Sequence, residues 1–465
     1  MNVSRKMLVR NLSYSFFAQG VVLVLNVLVS LVIPRFFTVS DFDFWQLFVF
    51  LASYGGFLHL GLNDGIYLRF GGECFANLDH KILGTELRIS VFLQLLVGGG
   101  IVVASVFFVD DRMRIFILLL AVVYSILSNV FMFLGLLFQA TNQIEIFSRS
   151  KIIYSTLLIG AIIFMLVSGF ASLSLLIFLY IFARGIALFY LVFWGREIVF
   201  SKSQVASSVV AELIGNIKIG FSLMLAITMG TFILGVGRLL IDSHWGLAAF
   251  GQVSFALLLT KLFLVFVNQV SYVLFPVLRR SEVDKRREFY ILARSLLVLI
   301  LPVLLFSYVP LQIFVRTWIP AYEGSLEFMV FFLPLCLFEG KMQMLSNTYF
   351  KIFRRERHLL KINFFCVVLS AFLCLVGIFI FASLVVVVKF MVISLVVRSI
   401  LAEIYFAKQF GVSLLASLFL ELCLALAFVV SFSTLRSLVA MLVFGLAYGI
   451  YFTLHRKFLF EGRKV

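Results

Sequence analysis

The chain has 465 residues, of which 63% are hydrophobic and only 13% are charged, and its net charge is +16. This composition excludes a soluble globular protein, because soluble domains carry about twice that charged fraction. A membrane β-barrel is excluded because the apolar runs are continuous, whereas the strands of a barrel alternate apolar and polar residues. We interpret the positive charge as cations in the cytoplasmic loops of a membrane protein rather than as a nucleic-acid-binding surface.

Runs of about 20 apolar residues, each long enough to cross about 30 Å of hydrocarbon, recur along the whole chain. They predict an all-α polytopic membrane protein with fourteen spans, near residues 12–33, 43–62, 90–109, 115–137, 152–170, 173–194, 218–241, 248–275, 290–310, 326–347, 362–382, 384–404, 412–432 and 436–454. The first run lacks a cleavage site, so we interpret it as a retained helix rather than a signal peptide.

Basic residues cluster in alternate loops between these spans. The runs RRSEVDKRR (279–287) and KIFRRERHLLK (351–361) lie on one predicted side, and short loops containing Asp41, Asp110 and Asp111 lie on the other. Because cytoplasmic loops carry an excess of Lys and Arg, both termini are predicted to be cytoplasmic.

Motifs for enzymatic chemistry are not found in this sequence. Neither a Walker A motif nor a glycine-rich nucleotide loop occurs, so we expect no ATP hydrolysis. The five cysteines and five histidines are isolated, which predicts no disulfide framework, no catalytic residues and no metal or other cofactor. The sequence therefore contains no motif that would indicate an enzyme.

The chain contains an internal similarity between residues 34–53 and 237–258. Both stretches contain an Arg, a short polar turn, a Phe-x-Gln pattern and an apolar helix. Six spans separate them, and an even number restores the orientation, so two parallel repeats with a substrate site between them are predicted. A polar segment, residues 201–217, is the predicted cytoplasmic linker between the halves.

Polar residues on four spans repeat at helical spacing, about 100° per residue. These polar faces are Ser254, Lys261, Asn268 and Tyr272 on the eighth span, Ser15, Gln19, Asn26 and Ser30 on the first, Thr231, Arg238 and Asp242 on the seventh, and Tyr180 with Arg184 on the sixth. A Lys or Arg at the centre of a membrane helix costs about 2.5–3.5 kcal/mol. We therefore expect Lys261 and Arg184 to face protein or a water-filled cavity.

Structural explanations for these polar faces stay open. Ser, Asn and Gln also join membrane helices by hydrogen bonds without any ligand. Lys261 is also explained as a buried ion-pair partner or as a side chain that snorkels to the membrane surface. Arg238 is also explained as an interfacial residue beside Asp242, and Glu421 in the thirteenth span has no evident partner.

Four stretches of the chain resemble one family. They are residues 33–70, GRLLIDSHWGLAAFGQVSFAL (237–257), FPVLRR (275–280) and residues 321–363, the last of which includes a basic loop. In the first stretch, Arg35 and Arg69 flank an aromatic-rich helix that opens with Phe44 and Trp45. The chain thus resembles the Wzx-type polysaccharide flippases, in the superfamily that includes the MATE exporters and the lipid II flippase. It departs from the family at Asp43, where glycine is usual, and at Gly237, where aspartate is frequent.

The resemblance implies two lobes around a central cavity, an N-lobe at residues 1–200 and a C-lobe at residues 218–410. Residues 411–465 would form two peripheral helices and a cytoplasmic tail. It also implies translocation of an undecaprenyl-diphosphate-linked oligosaccharide, an O-antigen or similar repeat unit for lipopolysaccharide, across the bacterial inner membrane by alternating access. The implied partners are this glycan, membrane lipids, and the polysaccharide polymerase and chain-length regulator, with no nucleic acid.

A diphosphate head group needs cations, and sugars need hydroxyls and amides. The predicted anion contacts are Lys261, Arg184 and Arg238, with Arg35 and Arg69 at the two mouths of the cavity, and the predicted sugar contacts are Asn268, Tyr272, Gln19 and Asn26. Coupling to protons, sodium or membrane potential stays open, as does flux down a glycan gradient. By elimination, the candidate proton carriers are Asp242, Glu339 and Glu403.

Two other functions are weighed against the flippase. A MATE-like exporter of cationic drugs should line its cavity with carboxylates, whereas the polar faces here carry cations and neutral groups. A membrane-embedded polysaccharide polymerase or glycosyltransferase should have a sizeable outer loop for catalytic groups, whereas the predicted outer loops are short.

Overall fold

The protein is helical over 88% of its length in a computed structural model, which describes the backbone of residues 5–203, 207–280 and 283–461 and contains no strand there. Side chains are described for residues 13–14, 16–203, 209–265 and 286–455. The predicted all-α membrane fold is confirmed. Two compact units divide the chain, unit 1 at Met1–Thr228 and unit 2 at Met229–Val465.

The helices of unit 1 follow one another along the chain. They are α1 (Arg5–Leu31), α2 (Ile33–Phe36), α3 (Val39–Ser53), α4 (Leu62–Arg69), α5 (His80–Phe108), α6 (Arg112–Ala140), α7 (Ile144–Val167), α8 (Leu173–Trp194), α9 (Arg196–Val199) and the first part of α10 (Ser207–Trp245). Short 3-10 turns lie at Gly55–His59 and Phe75–Asn77. Helix α10 continues into unit 2 without a break.

The helices of unit 2 continue the same pattern. They are α11 (Leu247–Arg280), α12 (Val283–Ile300), α13 (Tyr308–Trp318), α14 (Ser325–Phe332), α15 (Leu335–Lys341), α16 (Asn347–Ile352), α17 (Glu356–Phe379), α18 (Leu384–Phe410), α19 (Leu415–Thr434) and α20 (Ser437–Glu461). Two 3-10 turns, Leu301–Ser307 and Pro320–Tyr322, flank α13, and a π-helical turn, Met342–Ser346, joins α15 to α16.

The number of candidate membrane spans rises from twelve to fourteen when each of two bent helix pairs is counted as one span. Twelve helices in the described part of the chain are long and apolar enough to cross a membrane. The pair Val39–His59 and Leu62–Arg69 bends by 60°, and the pair Ser325–Phe332 and Leu335–Ile352 bends by 46°. At the first bend Gly61 has φ +87°, a left-handed conformation that glycine adopts without steric cost. At the second, Pro334 has no N–H to continue the helix.

The predicted linker is largely helical in the structure. Helix α10 begins at Ser207, inside the predicted linker 201–217, and the division between units falls at Thr228 and Met229 rather than near residue 218. Val209 and Leu213 are buried, so this segment packs as an amphipathic helix instead of running as a polar connection. The polar residues of this segment led to its prediction as a connecting loop.

Helices α4 and α10 cross backbone to backbone within unit 1. A methyl group on Gly65 would lie 1.9 Å from the Asn216 carbonyl oxygen, and one on Gly220 would lie 2.1 Å from the Gly61 carbonyl oxygen. Small residues at such crossings let membrane helices gain van der Waals contact that larger side chains would prevent. The glycines therefore fix the position of α10 on unit 1.

Candidate functional site

Arg184 lies on the side of α8 that faces away from lipid. The strongly exposed apolar residues Phe178, Phe182 and Phe189 define the opposite side of this helix at about 100° per residue. Arg184 is half-buried and stands near the middle of the helix. The expectation that this cation avoids lipid agrees with its position on α8.

Aromatic rings surround the Arg184 guanidinium. It lies 3.8 Å from the Tyr154 ring centre and 4.7 Å from that of Phe131, and its Nη2 donates to the Tyr124 hydroxyl at 2.8 Å. The Tyr124 and Tyr154 hydroxyls are 3.1 Å apart. Cation–π contacts recover about 0.5–2 kcal/mol, less than the roughly 2.5–3.5 kcal/mol cost of a cation at mid-membrane. The rings reduce the cost of Arg184 without cancelling its charge.

No carboxylate among the described residues bonds to Arg184, and its buried Nε has no hydrogen-bond partner there. A buried donor without a partner costs about 1–3 kcal/mol, more when the group is charged. This site in unit 1, the Arg184 site, therefore has capacity for an anionic ligand.

Arg238 and Lys261 form a second cationic cluster, in unit 2. The Nε and Nη2 atoms of Arg238 donate to Ser254 Oγ at 3.0 and 2.7 Å, and the guanidinium lies 4.6 Å from the Phe250 ring centre. Ser254 and Lys261 share the predicted face of α11, and the charged groups that act on Lys261 are Arg238 and Glu339. Most residues from Phe250 to Thr260 are buried, whereas Lys261 is exposed.

The remaining predicted contacts have different surroundings. Gln19 and Asn26 are half-buried on α1, and Arg35 is exposed on the short helix α2. The side chains of Asn268 and Tyr272 lie outside the described residues. The sugar and anion contacts predicted for these five residues stay predictions.

The prediction for Arg69 requires a correction. Its Nη2 pairs with Glu212 at 2.6 Å, and its Nη1 donates to Asn216 at 2.9 Å. Asn216 in turn donates to the buried carboxylate of Glu86 at 2.9 Å. Because its charge is already matched within unit 1, we now interpret Arg69 as a side chain that fastens α4 to α10 rather than as a ligand contact.

Four buried charges of opposite sign form a closed network in unit 2, the ion tetrad of Arg294, Lys341, Glu403 and Glu421. Arg294 donates to Glu403 at 2.7 Å and to Glu421 at 2.8 Å, and Lys341 bonds to both carboxylates. All four side chains are at most 5% exposed. Glu421, which had no evident partner in the sequence, is therefore matched by two cations.

The tetrad and a neighbouring pair also correct the proton-carrier hypothesis. Glu403 is held by Arg294 and Lys341, and Glu339 pairs with Arg398 at 3.1 Å. A carboxylate fixed between cations is a poor proton carrier, since its charged form is the one that the surroundings stabilise. Glu339 and Glu403 are therefore better explained as structural residues. Glu339 and Lys341 bond to different partners, since residues two apart on a helix lie on different sides of it.

No protein-family model matches the chain, and no curated protein matches it in sequence. Among solved structures, it is similar to the lipid II flippase MurJ in an inward closed conformation, with TM-score 0.66 and 12% identity over 97% of this chain and 100% of that one. It is similar to an inward-facing multidrug resistance MATE family transporter of the MOP superfamily, with TM-score 0.57 and 14% identity over 85% and 94% of the two chains. A MOP superfamily transporter from Pyrococcus furiosus, reported with a binding pocket of reversed polarity, has TM-score 0.55 and 13% identity over 87% and 96%.

The chain has the fold of the MOP-superfamily transporters. These neighbours are transporters and flippases rather than enzymes. At such low identity the similarity establishes the fold, so the substrate has to be argued from the side chains.

Sequence reasoning missed Lys151, Tyr124 and Tyr154. Lys151 was grouped with loop cations because the fifth span was predicted to begin at residue 152, whereas α7 begins at Ile144. A usable signal was present, since Lys151 and Tyr154 are three residues apart and so share a helix face.

Proposed function

We propose that this protein is a flippase that moves an undecaprenyl-diphosphate-linked oligosaccharide from the inner to the outer leaflet of the bacterial cytoplasmic membrane. The glycan is an O-antigen repeat unit or a similar surface-polysaccharide unit. The polymerase and chain-length regulator of that pathway are the proposed partners. One observation supports this most strongly: Arg184, within a membrane span, faces away from lipid with no carboxylate bonded to it among the described residues.

The chemistry of the cargo explains these cations. A diphosphate cannot cross hydrocarbon while charged and unpaired, because an isolated charge in a low-dielectric medium is strongly disfavoured. Arg184 in one unit and Arg238 with Lys261 in the other offer charge-assisted hydrogen bonds to phosphate oxygens. The polyprenyl tail would remain in lipid while the two lobes expose the bound head group alternately to each side.

An exporter of cationic drugs is less well supported by the same residues. Such a protein needs carboxylates that are available to the drug, and in unit 2 the buried Glu403 and Glu421 and the half-buried Glu339 are matched by protein cations. A polymerase is disfavoured because the fold neighbours are transporters and flippases.

Deletion of the gene tests the proposed function in cells. We expect undecaprenyl-linked oligosaccharide to accumulate in the inner leaflet and surface polysaccharide to be lost, because synthesis continues while translocation stops. Extracted lipid-linked glycans are measured by mass spectrometry, with the wild-type gene on a plasmid as the control. Loss of surface polysaccharide with no accumulated intermediate would point to a role before translocation and would contradict the proposal.

A further inference from the structure

Lys151 stands inside the membrane span of α7 rather than in a loop. It lies seven residues after Ile144, about 10 Å along the helix. Phe164 and Val167, both strongly exposed, mark the lipid-facing side of α7, and Lys151 lies roughly opposite them. The side chain is half-buried, so it borders accessible space on the side of unit 1 that faces away from lipid.

The charge of Lys151 is not matched by protein. Its ammonium lies 4.0 Å from the Phe147 ring centre, and no carboxylate of the described residues forms an ion pair with it. A second cation, Arg184 on α8, lies 3.8 Å from the ring centre of Tyr154, which is one helical turn from Lys151 on α7. Two cations of like sign on neighbouring membrane spans repel, and ring contacts offset only part of that cost.

Hydrogen-bond donors converge at this position. Arg184 Nη2 already donates to the Tyr124 hydroxyl at 2.8 Å, while its buried Nε–H has no partner among the described residues. Tyr154, on the same face of α7 as Lys151, joins the group through its hydroxyl, 3.1 Å from that of Tyr124. An ammonium, a guanidinium and phenol hydroxyls, without a carboxylate, suit the oxygens of a phosphate group.

We propose that Lys151, Arg184 and Tyr124 bind the diphosphate of the lipid-linked substrate in unit 1, with Lys151 as the second cation of the site. This inference rests on the proposed function and adds a location and a ligand group to it. The aromatic rings place apolar surface beside both cations, which lowers the local dielectric and so strengthens their attraction for an anion. Sugars bound elsewhere would leave this contact unchanged, so the site should recognise the carrier diphosphate whatever glycan it bears.

Binding to purified protein in lipid nanodiscs tests the inference. The probes are undecaprenyl diphosphate and undecaprenol, which share a tail and differ in charge. We expect Lys151→Ala and Arg184→Ala each to weaken undecaprenyl diphosphate binding by about 10–100-fold, the range for removing a charge-assisted contact. Lys151→Arg should retain most of the affinity, and Tyr124→Phe should cost only a few-fold.

Arg149→Ala is the matched control, two residues from Lys151 on the same helix. The Arg149 guanidinium is paired with Glu145 and contacts Tyr14, so its loss should leave binding unchanged. Thermal unfolding of each variant is measured in parallel, and Lys151→Arg keeps the test valid if Lys151→Ala does not fold.

Two outcomes separate the inference from the proposed function. If wild-type protein prefers undecaprenyl diphosphate to undecaprenol and the folded Lys151→Ala and Arg184→Ala variants retain that preference, the inference is wrong and the proposed function stands. If wild-type protein binds both lipids equally, the proposed function itself is wrong.

Discussion

Replacing Lys341 by methionine is expected to destabilise unit 2 by about 3–5 kcal/mol, the range for removing one partner of a buried ion pair. Lys341 bonds to Glu403 and Glu421, and each of the three side chains is at most 2% exposed. Methionine fills a similar volume but leaves two carboxylates with Arg294 alone. The uncompensated negative charge, rather than a cavity, produces the expected loss.

Unfolding of the purified variant in detergent measures this effect. Lys389→Met is the matched control, because Lys389 is exposed on α18 and its ammonium lies 4.9 Å from the Phe331 ring centre, outside the tetrad. The double variant Lys341→Met with Glu421→Gln restores neutrality, so it should recover part of the stability lost in Lys341→Met, a coupling that a double-mutant cycle reports. Equal stability of Lys341→Met and Lys389→Met would contradict the role of the tetrad.

The tetrad also fastens the C-terminal helices to unit 2. Its members lie on α12, α15, α18 and α19, so ion pairs join α19 directly to α12 and α15, and the same two cations link α19 to α18. Helix α20 is attached through the Tyr451 hydroxyl, which donates to the Val298 carbonyl at 3.0 Å, and through His455, 2.9 Å from Ser417. Helices α19 and α20 should therefore move with unit 2 during transport.

Replacing Lys261 by alanine is expected to reduce glycan translocation by about 10–100-fold while the protein remains folded, which corresponds to losing one charge-assisted contact. Lys261 is exposed on the α11 face that also carries Ser254, the partner of Arg238, and the structure shows no ion pair for Lys261 among the described residues. Its loss removes the proposed ligand contact without leaving a buried partner unsatisfied. Surface polysaccharide under limiting expression measures the effect.

The conservative variant and a second lysine serve as controls for Lys261. Lys261→Arg keeps the charge and should retain translocation, whereas Lys389→Ala removes a lysine elsewhere in unit 2 and should have no effect. If Lys261→Ala cells assemble normal surface polysaccharide, Lys261 has only a structural role and the cationic cluster of unit 2 is not a ligand site.

The fold could be predicted because each membrane span can be located from its own apolar sequence. An apolar run of about 20 residues needs no partner to be recognised, so the bent helix pairs around Gly61 and Pro334 were each predicted as one span, which gives the upper count of fourteen. Their bends were not predicted, since a glycine or proline in a span does not by itself give an angle.

The charged side chains were harder to predict because their partners are far away in sequence. Glu421 lies 80 residues from Lys341 and 127 from Arg294, so helical periodicity could not pair them. Arg69 was assigned to the cavity mouth because its partners Glu212 and Asn216 lie on α10, beyond five intervening helices. Arg184 could be proposed from the sequence because a charge within an apolar span is recognisable without knowing its partner.

Reconstitution into vesicles tests the flippase account most directly. Vesicles contain purified protein and undecaprenyl diphosphate bearing a fluorescent oligosaccharide, and a membrane-impermeant reductant destroys the label exposed outside. The account predicts that wild-type protein makes the inner-leaflet label accessible and that Arg184→Ala slows this strongly. Protection of the inner-leaflet label in wild-type vesicles, equal to that in protein-free vesicles, would contradict the account.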